Sequence, residues 1–228
     1  MSYLDRPLNR DAQTVAYSDG RSIAGHKVLR NTYMLLSMTL LFSAITAGLS
    51  VAFALPSMGI LVTIIGYFAL LFLTAKLRNS AWGILSVFAL TGFMGLTLGP
   101  IITRYLGMPG GGAIVMNAMA LTGIIFMSLS AYVLVSKRDF SFMSGFLAIG
   151  VLVAFVAGLG AIFFEIPALS IAVSAAFVLL MSGMILFETS NIIHGGETNY
   201  IMATVSLYVS IFNLFTSLLQ LLGFIDSE

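Results

Sequence analysis

The sequence predicts an all-α membrane protein with seven transmembrane helices. Hydrophobic residues make up 59% of the 228 residues and charged residues only 8%, against about 25% charged in a typical globular domain. The mean hydropathy of +1.06 is typical of a chain that lies in lipid. The few charges are also unevenly placed, so long stretches of the sequence carry none.

These charge-free stretches define the predicted helices. They cover residues 31–75, 79–103, 105–136, 140–164, 166–187 and 198–225. A helix rises about 1.5 Å per residue, so about 20 apolar residues cross the hydrocarbon core. Five stretches fit one crossing each, and the first is long enough for two, with a turn signal at Pro56–Gly59. We predict helices at about 32–55, 59–75, 80–103, 113–135, 140–164, 168–190 and 199–224.

The basic residues indicate how the helices are oriented. With the N-terminus in the cytoplasm, nine of the ten Lys and Arg residues lie on the cytoplasmic side, and only Arg104 lies outside. Cytoplasmic loops of membrane proteins carry this excess of Lys and Arg. We therefore predict a cytoplasmic N-terminus and an external C-terminus.

The chain divides into a tail and a membrane domain. Residues 1–25 are polar and mixed in charge, which predicts a flexible cytoplasmic tail. Residues 26–228 form the seven-helix membrane domain. Its first hydrophobic stretch is too long for a cleavable signal peptide and is typical of a signal anchor.

Composition excludes several classes of function. The chain has no cysteine and two histidines, which leaves no Cys-based metal site. A retinal protein needs a lysine in its final helix, but the last lysine here, Lys137, precedes that helix. No histidine within a helix is available to activate a serine nucleophile. We expect no catalytic residue, metal or cofactor, and the net charge of +1 gives no basic field for nucleic acid.

Polar side chains concentrate at the end of the sixth helix and along the seventh. Positions 206, 210, 213 and 217 share one face of the seventh helix. A polar stripe should face the bundle interior, so we predict that this helix is central. Glu188 is the one acid placed within or near the hydrocarbon. Such residues mark an ion or proton path, but an interfacial glutamate that reaches water is an equal alternative.

The third helix contains two backbone signals. Gly95 and Gly99 form a G-x-x-x-G spacing, which lets two helices approach closely. Packing within the bundle is favoured over a dimer face. Pro100 follows and should bend or end the helix.

Four sequence segments carry a resemblance to a known family. They read F-E-T-S-N-I-I-H-G-G-E-T-N-Y-I at 187–201, S-L-Y-V-S-I-F-N-L-F at 206–215, H-K-V-L-R-N-T-Y at 26–33 and T-G-F-x-G-x-x-L-G-P at 91–100. The chain resembles the Bax inhibitor-1 family, and its YccA-like branch most. The resemblance implies a bundle in which six helices surround a central seventh.

The resemblance also implies candidate site residues. Some members of the family are pH-sensitive calcium leaks gated by an aspartate in each of the last two helices. Glu188 occupies the place of the first aspartate, and Ser210, which cannot ionise, that of the second. The polar residues Asn191 and Asn213, which come from the sequence pattern and not from the resemblance, complete the candidate ion or proton path. Two close carboxylates can share a proton, whereas a carboxyl beside a hydroxyl lacks this coupling. This departure from the family pattern therefore weighs against a pH-gated leak.

Two functions remain open at this point. The YccA-like branch implies a multi-pass protein of a bacterial inner membrane that is not an enzyme and that modulates the FtsH membrane protease and its HflK–HflC partner complex. The alternative is a calcium or proton leak with Glu188 as the titrating group. The missing acid in the seventh helix favours the regulator.

Overall fold

The structure, a computed structural model, describes the backbone of residues 10–225 and the side chains of residues 25–225. This part of the chain forms seven α-helices and no strand. The helices are α1 (Arg10–Ala52), α2 (Ile60–Leu77), α3 (Trp82–Leu106), α4 (Gly111–Ser136), α5 (Ser144–Phe163), α6 (Pro167–Ile193) and α7 (Tyr200–Ile225). Each contains a stretch long and apolar enough to cross a membrane, which confirms the predicted set.

The start of α1 differs from the sequence expectation. The helix begins at Arg10, well before the predicted start near residue 32, although its membrane-crossing part is Gly25–Ala52. Helical backbone therefore extends into the segment predicted to be a flexible tail. Residues 1–9 of that tail, and the C-terminal residues 226–228, lie outside the described residues. The mobility of the tail and its place in the cytoplasm stay predictions.

Helix α7 has four close neighbours. It packs against α1, α3, α4 and α6, whereas α2 packs on α3 and α5 packs on α6. The predicted ring of six helices around α7 is thus an inner group of four, with α2 and α5 at the periphery. Lipid is a good solvent for such outer helices, and α2 buries only Thr74.

The side chain of Tyr208 joins α7 to two of these neighbours. The ring is 1% exposed. Its hydroxyl lies 2.6 Å from the Ser43 hydroxyl of α1 and donates to the Thr91 carbonyl of α3 at 3.3 Å. A buried tyrosine needs such partners for its hydroxyl. These two bonds therefore fix how α7 lies against α1 and α3.

The glycines of α3 allow it to approach α1 closely. A Cβ atom on Gly95 would lie 2.4 Å from the Ser43 carbonyl oxygen, and one on Gly99 would lie 2.0 Å from Ser50 Oγ. Neither distance is possible for a real side chain. The G-x-x-x-G spacing therefore serves packing within the bundle, as predicted.

Pro100 does not end α3, which continues to Leu106. Proline lacks the N–H that would bond the carbonyl of Leu96, four residues earlier. The Ser50 hydroxyl of α1 donates to this carbonyl instead, at 3.0 Å. The helix continues because a neighbouring helix supplies the missing donor.

Three loops meet at one end of the bundle. The Asn199 side chain, before α7, donates to the Arg78 carbonyl at 3.0 Å and to the Asn79 side chain at 2.9 Å. On the other side of the same loop, His194 Nε2 lies 3.2 Å from the Lys137 carbonyl oxygen. The basic loops after α2 and α4 are therefore on the same face, as seven successive crossings require. Which side of the membrane this face occupies stays a prediction.

Candidate functional site

A cavity of about 1030 Å³ lies between the peripheral helices and the inner group. Residues of α7, α6 and α3 form its floor, and residues of α2 and α5 form its two edges. The edge side chains Phe72 and Leu152 are 74% and 62% exposed, so the cavity opens to the lipid between α2 and α5. We call this feature the lateral groove.

Glu188 lines the floor of the lateral groove. It lies in the last turns of α6 and is only 7% exposed. Its carboxyl group lies against the Ser206 hydroxyl of α7, and the charged residue that acts on it is another acid, Glu197. Among residues 25–225, no Lys or Arg pairs with it. The carboxyl group thus faces the groove without a counter-ion.

Ser210 and Asn213 lie on the same floor, beside Glu188. The Ser210 hydroxyl donates to the Ser206 carbonyl at 3.0 Å, and the Asn213 amide donates to the Val209 carbonyl at 2.8 Å. Both bonds run back to the carbonyls of α7 itself. The side-chain oxygens of Ser210 and Asn213 therefore keep their acceptor capacity. The structure brings three of the four predicted site residues together.

Asn191, the fourth predicted residue, does not line the groove. It lies at the end of α6, where its carbonyl accepts the N–H groups of Gly196 and Glu197 at 2.9 and 3.2 Å. Its side-chain oxygen is packed against Gly196. The backbone of Asn191 closes the turn after α6, and the residue lies away from the groove floor.

A second, smaller cavity continues the first towards the other membrane face. It measures about 260 Å³ and shares Phe155, Phe177 and Asn213 with the lateral groove. Its polar lining includes Ser170, Ser174 and Gln220, which hydrogen-bond one another. Sequence reasoning did not link Gln220 of α7 to these serines of α6. The signal that could have found these serines is the four-residue spacing of Ser170 and Ser174 in the otherwise apolar first half of α6.

The loop between α4 and α5 is fixed from α6. The Ser190 hydroxyl accepts the Phe140 N–H at 2.9 Å, and His194 Nδ1 lies 2.9 Å from the Ser190 carbonyl oxygen. Asp139 accepts the Ser141 N–H at 2.8 Å, and this bond lowers the pKa of its exposed carboxyl below the usual value. Ser190 thus bonds the loop at Phe140, and His194 reaches it through Nε2 and the Lys137 carbonyl, so both residues hold the loop against α6.

The groove gathers several polar groups on a mostly apolar surface. Its floor presents one carboxyl, one amide and the hydroxyls of Ser206, Ser210 and Thr97, and the rest of its lining is apolar apart from Thr63 and Tyr67 of α2. In the part of the chain that the structure describes, no three His, Cys, Asp or Glu residues lie close enough together to hold a metal ion. These groups can bind a hydrogen-bond donor or a cation that reaches them through the membrane.

Comparison with known proteins decides the family. The model of the family described as "Inhibitor of apoptosis-promoting Bax1" matches residues 25–227. The chain belongs to the Bax inhibitor-1 family. The match covers all seven membrane-crossing segments, so family membership rests on the whole bundle and not on the segments around Glu188 alone.

Bacterial relatives match over nearly their whole length. A Pseudomonas aeruginosa protein is 56% identical over 208 residues, which are 91% of this chain and 93% of the relative. An Escherichia coli protein named "Modulator of FtsH protease YccA" is 54% identical over 206 residues, 90% and 94% of the two chains. A Vibrio cholerae membrane protein is 44% identical over 97% of this chain and all of the relative. An E. coli relative of the same identity is named an inner membrane protein. This Bax inhibitor-1 family chain is likewise a multi-pass protein of a bacterial inner membrane.

Proposed function

We propose that this chain is a non-enzymatic regulator of an FtsH-type membrane protease. The observation that carries the proposal is its 54% identity, over 90% of its length, to the E. coli protein named as a modulator of that protease. A resemblance this long covers every helix, so the surfaces that the relative uses should be present here. The finer part of the proposal is direct binding to FtsH and to the HflK–HflC complex.

The architecture supports a regulator that acts within the membrane. Helices α2 and α5 leave a large share of the bundle in contact with lipid or with another membrane protein. A packed bundle also resists extraction, because the backbone groups of each helix are bonded within it and cannot be left unpaired in lipid. A protease that engaged such a protein would stay occupied by it and would degrade its other substrates slowly.

Reconstitution tests the proposal directly. Purified FtsH and this protein are placed in the same liposomes, and degradation of a membrane-protein substrate is followed over time. We expect slower degradation as the amount of this protein rises, with no effect on a soluble protease in the same vesicles. An unchanged rate at every ratio would contradict the proposal. Affinity purification with tagged HflK–HflC, from cells with and without FtsH, separates direct binding from binding through the protease.

The same liposomes test the ion leak. Because Ser210 replaces the second acid, we expect calcium flux no higher than in protein-free vesicles, and no change on Glu188→Gln. Ser210→Asp would place two carboxyl groups on one floor and should raise the flux above that of the unaltered protein. A flux that the unaltered protein shows and Glu188→Gln abolishes would favour the leak instead.

A further inference from the structure

The floor of the lateral groove has binding capacity that the fold does not use. Glu188 has no Lys or Arg partner among residues 25–225, and the Ser210 hydroxyl and the Asn213 amide donate to carbonyls of α7 itself. The side-chain oxygens of these three residues therefore keep capacity to accept hydrogen bonds. Lipid acyl chains cannot bond to them, and unpaired polar groups in hydrocarbon are costly. The occupant that suits this floor carries hydrogen-bond donors or a positive charge.

The shape of the groove selects the kind of occupant. Its lining runs along α7 from Met202 to Asn213, which at 1.5 Å per residue is about 17 Å, more than half of the hydrocarbon core. It opens sideways between the exposed side chains Phe72 and Leu152. An elongated slot with apolar walls that opens into the bilayer suits a helix that already lies in the membrane.

We propose that the lateral groove is the docking site for one transmembrane helix of the partner protease. The docked helix carries a Ser, Thr, Asn, Gln, Lys or Arg side chain at the depth of Glu188 and Ser210, where it donates to the acceptor oxygens of the floor. Its apolar face packs between α2 and α5. Hydrogen bonds between polar side chains and close packing are the forces that join helices in lipid. This inference rests on the proposed function, because it names the surface through which FtsH is bound.

Site-specific photo-crosslinking in cells tests the docking site. A photoreactive amino acid replaces Phe72 or Leu152 at the edges of the groove. The matched controls are Phe146 and Leu179, which are 71% and 75% exposed and do not line the groove. We expect crosslinks to FtsH from the two edge positions and none from the two controls.

Each other result has a defined meaning. If FtsH co-purifies with the protein but the edge positions crosslink only to lipid or to a second copy of this chain, the docking site is wrong and the proposed function stands. FtsH crosslinks of equal strength from the controls overturn the docking site in the same way. If FtsH neither co-purifies nor crosslinks, both proposals fail.

A substitution on the floor adds a second test. Ser210→Leu fills the floor and removes an acceptor, whereas Ser37→Leu makes the same change on the exposed face of α1. Loss of one such hydrogen bond should lower FtsH recovery about twofold to tenfold for Ser210→Leu and leave it unchanged for Ser37→Leu. Equal recovery with both variants, each at the expression level of the unaltered protein, contradicts the proposal. The crosslinking pairs keep the test decisive if Ser210→Leu fails to fold.

Discussion

Ser50 supplies the hydrogen bond that Pro100 removes from α3. Its hydroxyl reaches the Leu96 carbonyl at 3.0 Å because Gly99 lets the two helices approach closely. A carbonyl left without a donor in a buried contact costs free energy, since no water is available to replace the bond. The serine, the glycine and the proline therefore act as one unit.

Ser50→Ala tests this unit. We expect the substitution to lower the free energy of unfolding by about 1–3 kcal/mol, because the Leu96 carbonyl then has no donor. Ser37→Ala is the matched control on the same helix, since the Ser37 hydroxyl bonds only the Tyr33 carbonyl of α1 itself. Thermal unfolding in detergent measures both. Equal unfolding temperatures for the two variants would show that Pro100 is tolerated for another reason.

Among single residues, the sequence predicted three that lie on the groove floor and added Asn191, which does not lie there. Glu188, Ser210 and Asn213 were predictable because polar residues in an apolar helix must face its interior partners. Asn191 was a candidate because it lies in the same polar stretch as Glu188. In the structure α6 is about to end there, and the backbone carbonyl of Asn191 accepts the N–H groups of the following turn. The Asn191 side chain packs against this turn at Gly196, and the sequence does not show where the helix ends.

At the scale of the helices, the close contact between α1 and α3 requires glycine, which has no side chain, at the contact positions of α3. A Cβ at position 95 meets the backbone of Ser43, which cannot move aside as a flexible side chain could. Gly123 in α4 differs, because nothing lies within 4 Å of the place where its Cβ would be. The two glycines share a helical conformation, so they separate the effect of packing from that of helix propensity.

Gly95→Ala should therefore destabilise the protein, while Gly123→Ala should not. We expect a loss of about 1–3 kcal/mol for the first, because the helices must move apart to make room. The second should be neutral or raise stability by up to about 1 kcal/mol, since alanine favours helix. Urea or thermal unfolding of both variants checks the difference. A similar loss for both would mean that glycine flexibility, and not close approach, is what the protein needs.

The helices themselves were predictable because membrane thickness sets their length. The charge-free stretches gave seven crossings, and the structure has the same seven. Two features were not predictable. Helix α3 continues through Pro100 because of a serine on another helix, and α2 and α5 stand apart from α7. Both depend on contacts between segments far apart in sequence, which hydropathy does not report.

At the scale of the whole molecule, the basic loops after α2 and α4 form one face. Asn199 and His194 connect them to the loop before α7. Nine of the ten basic residues are on the side predicted to be cytoplasmic. Lys76, Arg78, Lys137 and Arg138 are therefore at the same end of the bundle, which in the predicted orientation lies at the negative surface of the inner leaflet.

Reporter fusions test this orientation. A periplasmic phosphatase fused after Glu228 or after Gly107 should be active, and one fused after Arg78 or Arg138 should be inactive, because the enzyme folds only outside the cytoplasm. A cytoplasmic fluorescent reporter at the same four positions gives the opposite pattern. An inactive phosphatase at the C-terminus would mean that the bundle is inverted or that one helix does not cross.

The central place of α7 has a consequence for synthesis. This helix is the last of the seven to leave the ribosome, yet it packs on both α1 and α3 and on both α4 and α6. Until it inserts, Glu188 lacks its Ser206 partner, and Ser43 and Thr91 lack the Tyr208 hydroxyl. A nascent chain stopped before Tyr200 would therefore show the bilayer an unpaired carboxyl in an open bundle. Insertion of α7 is thus the step at which these polar groups gain their partners and the bundle closes.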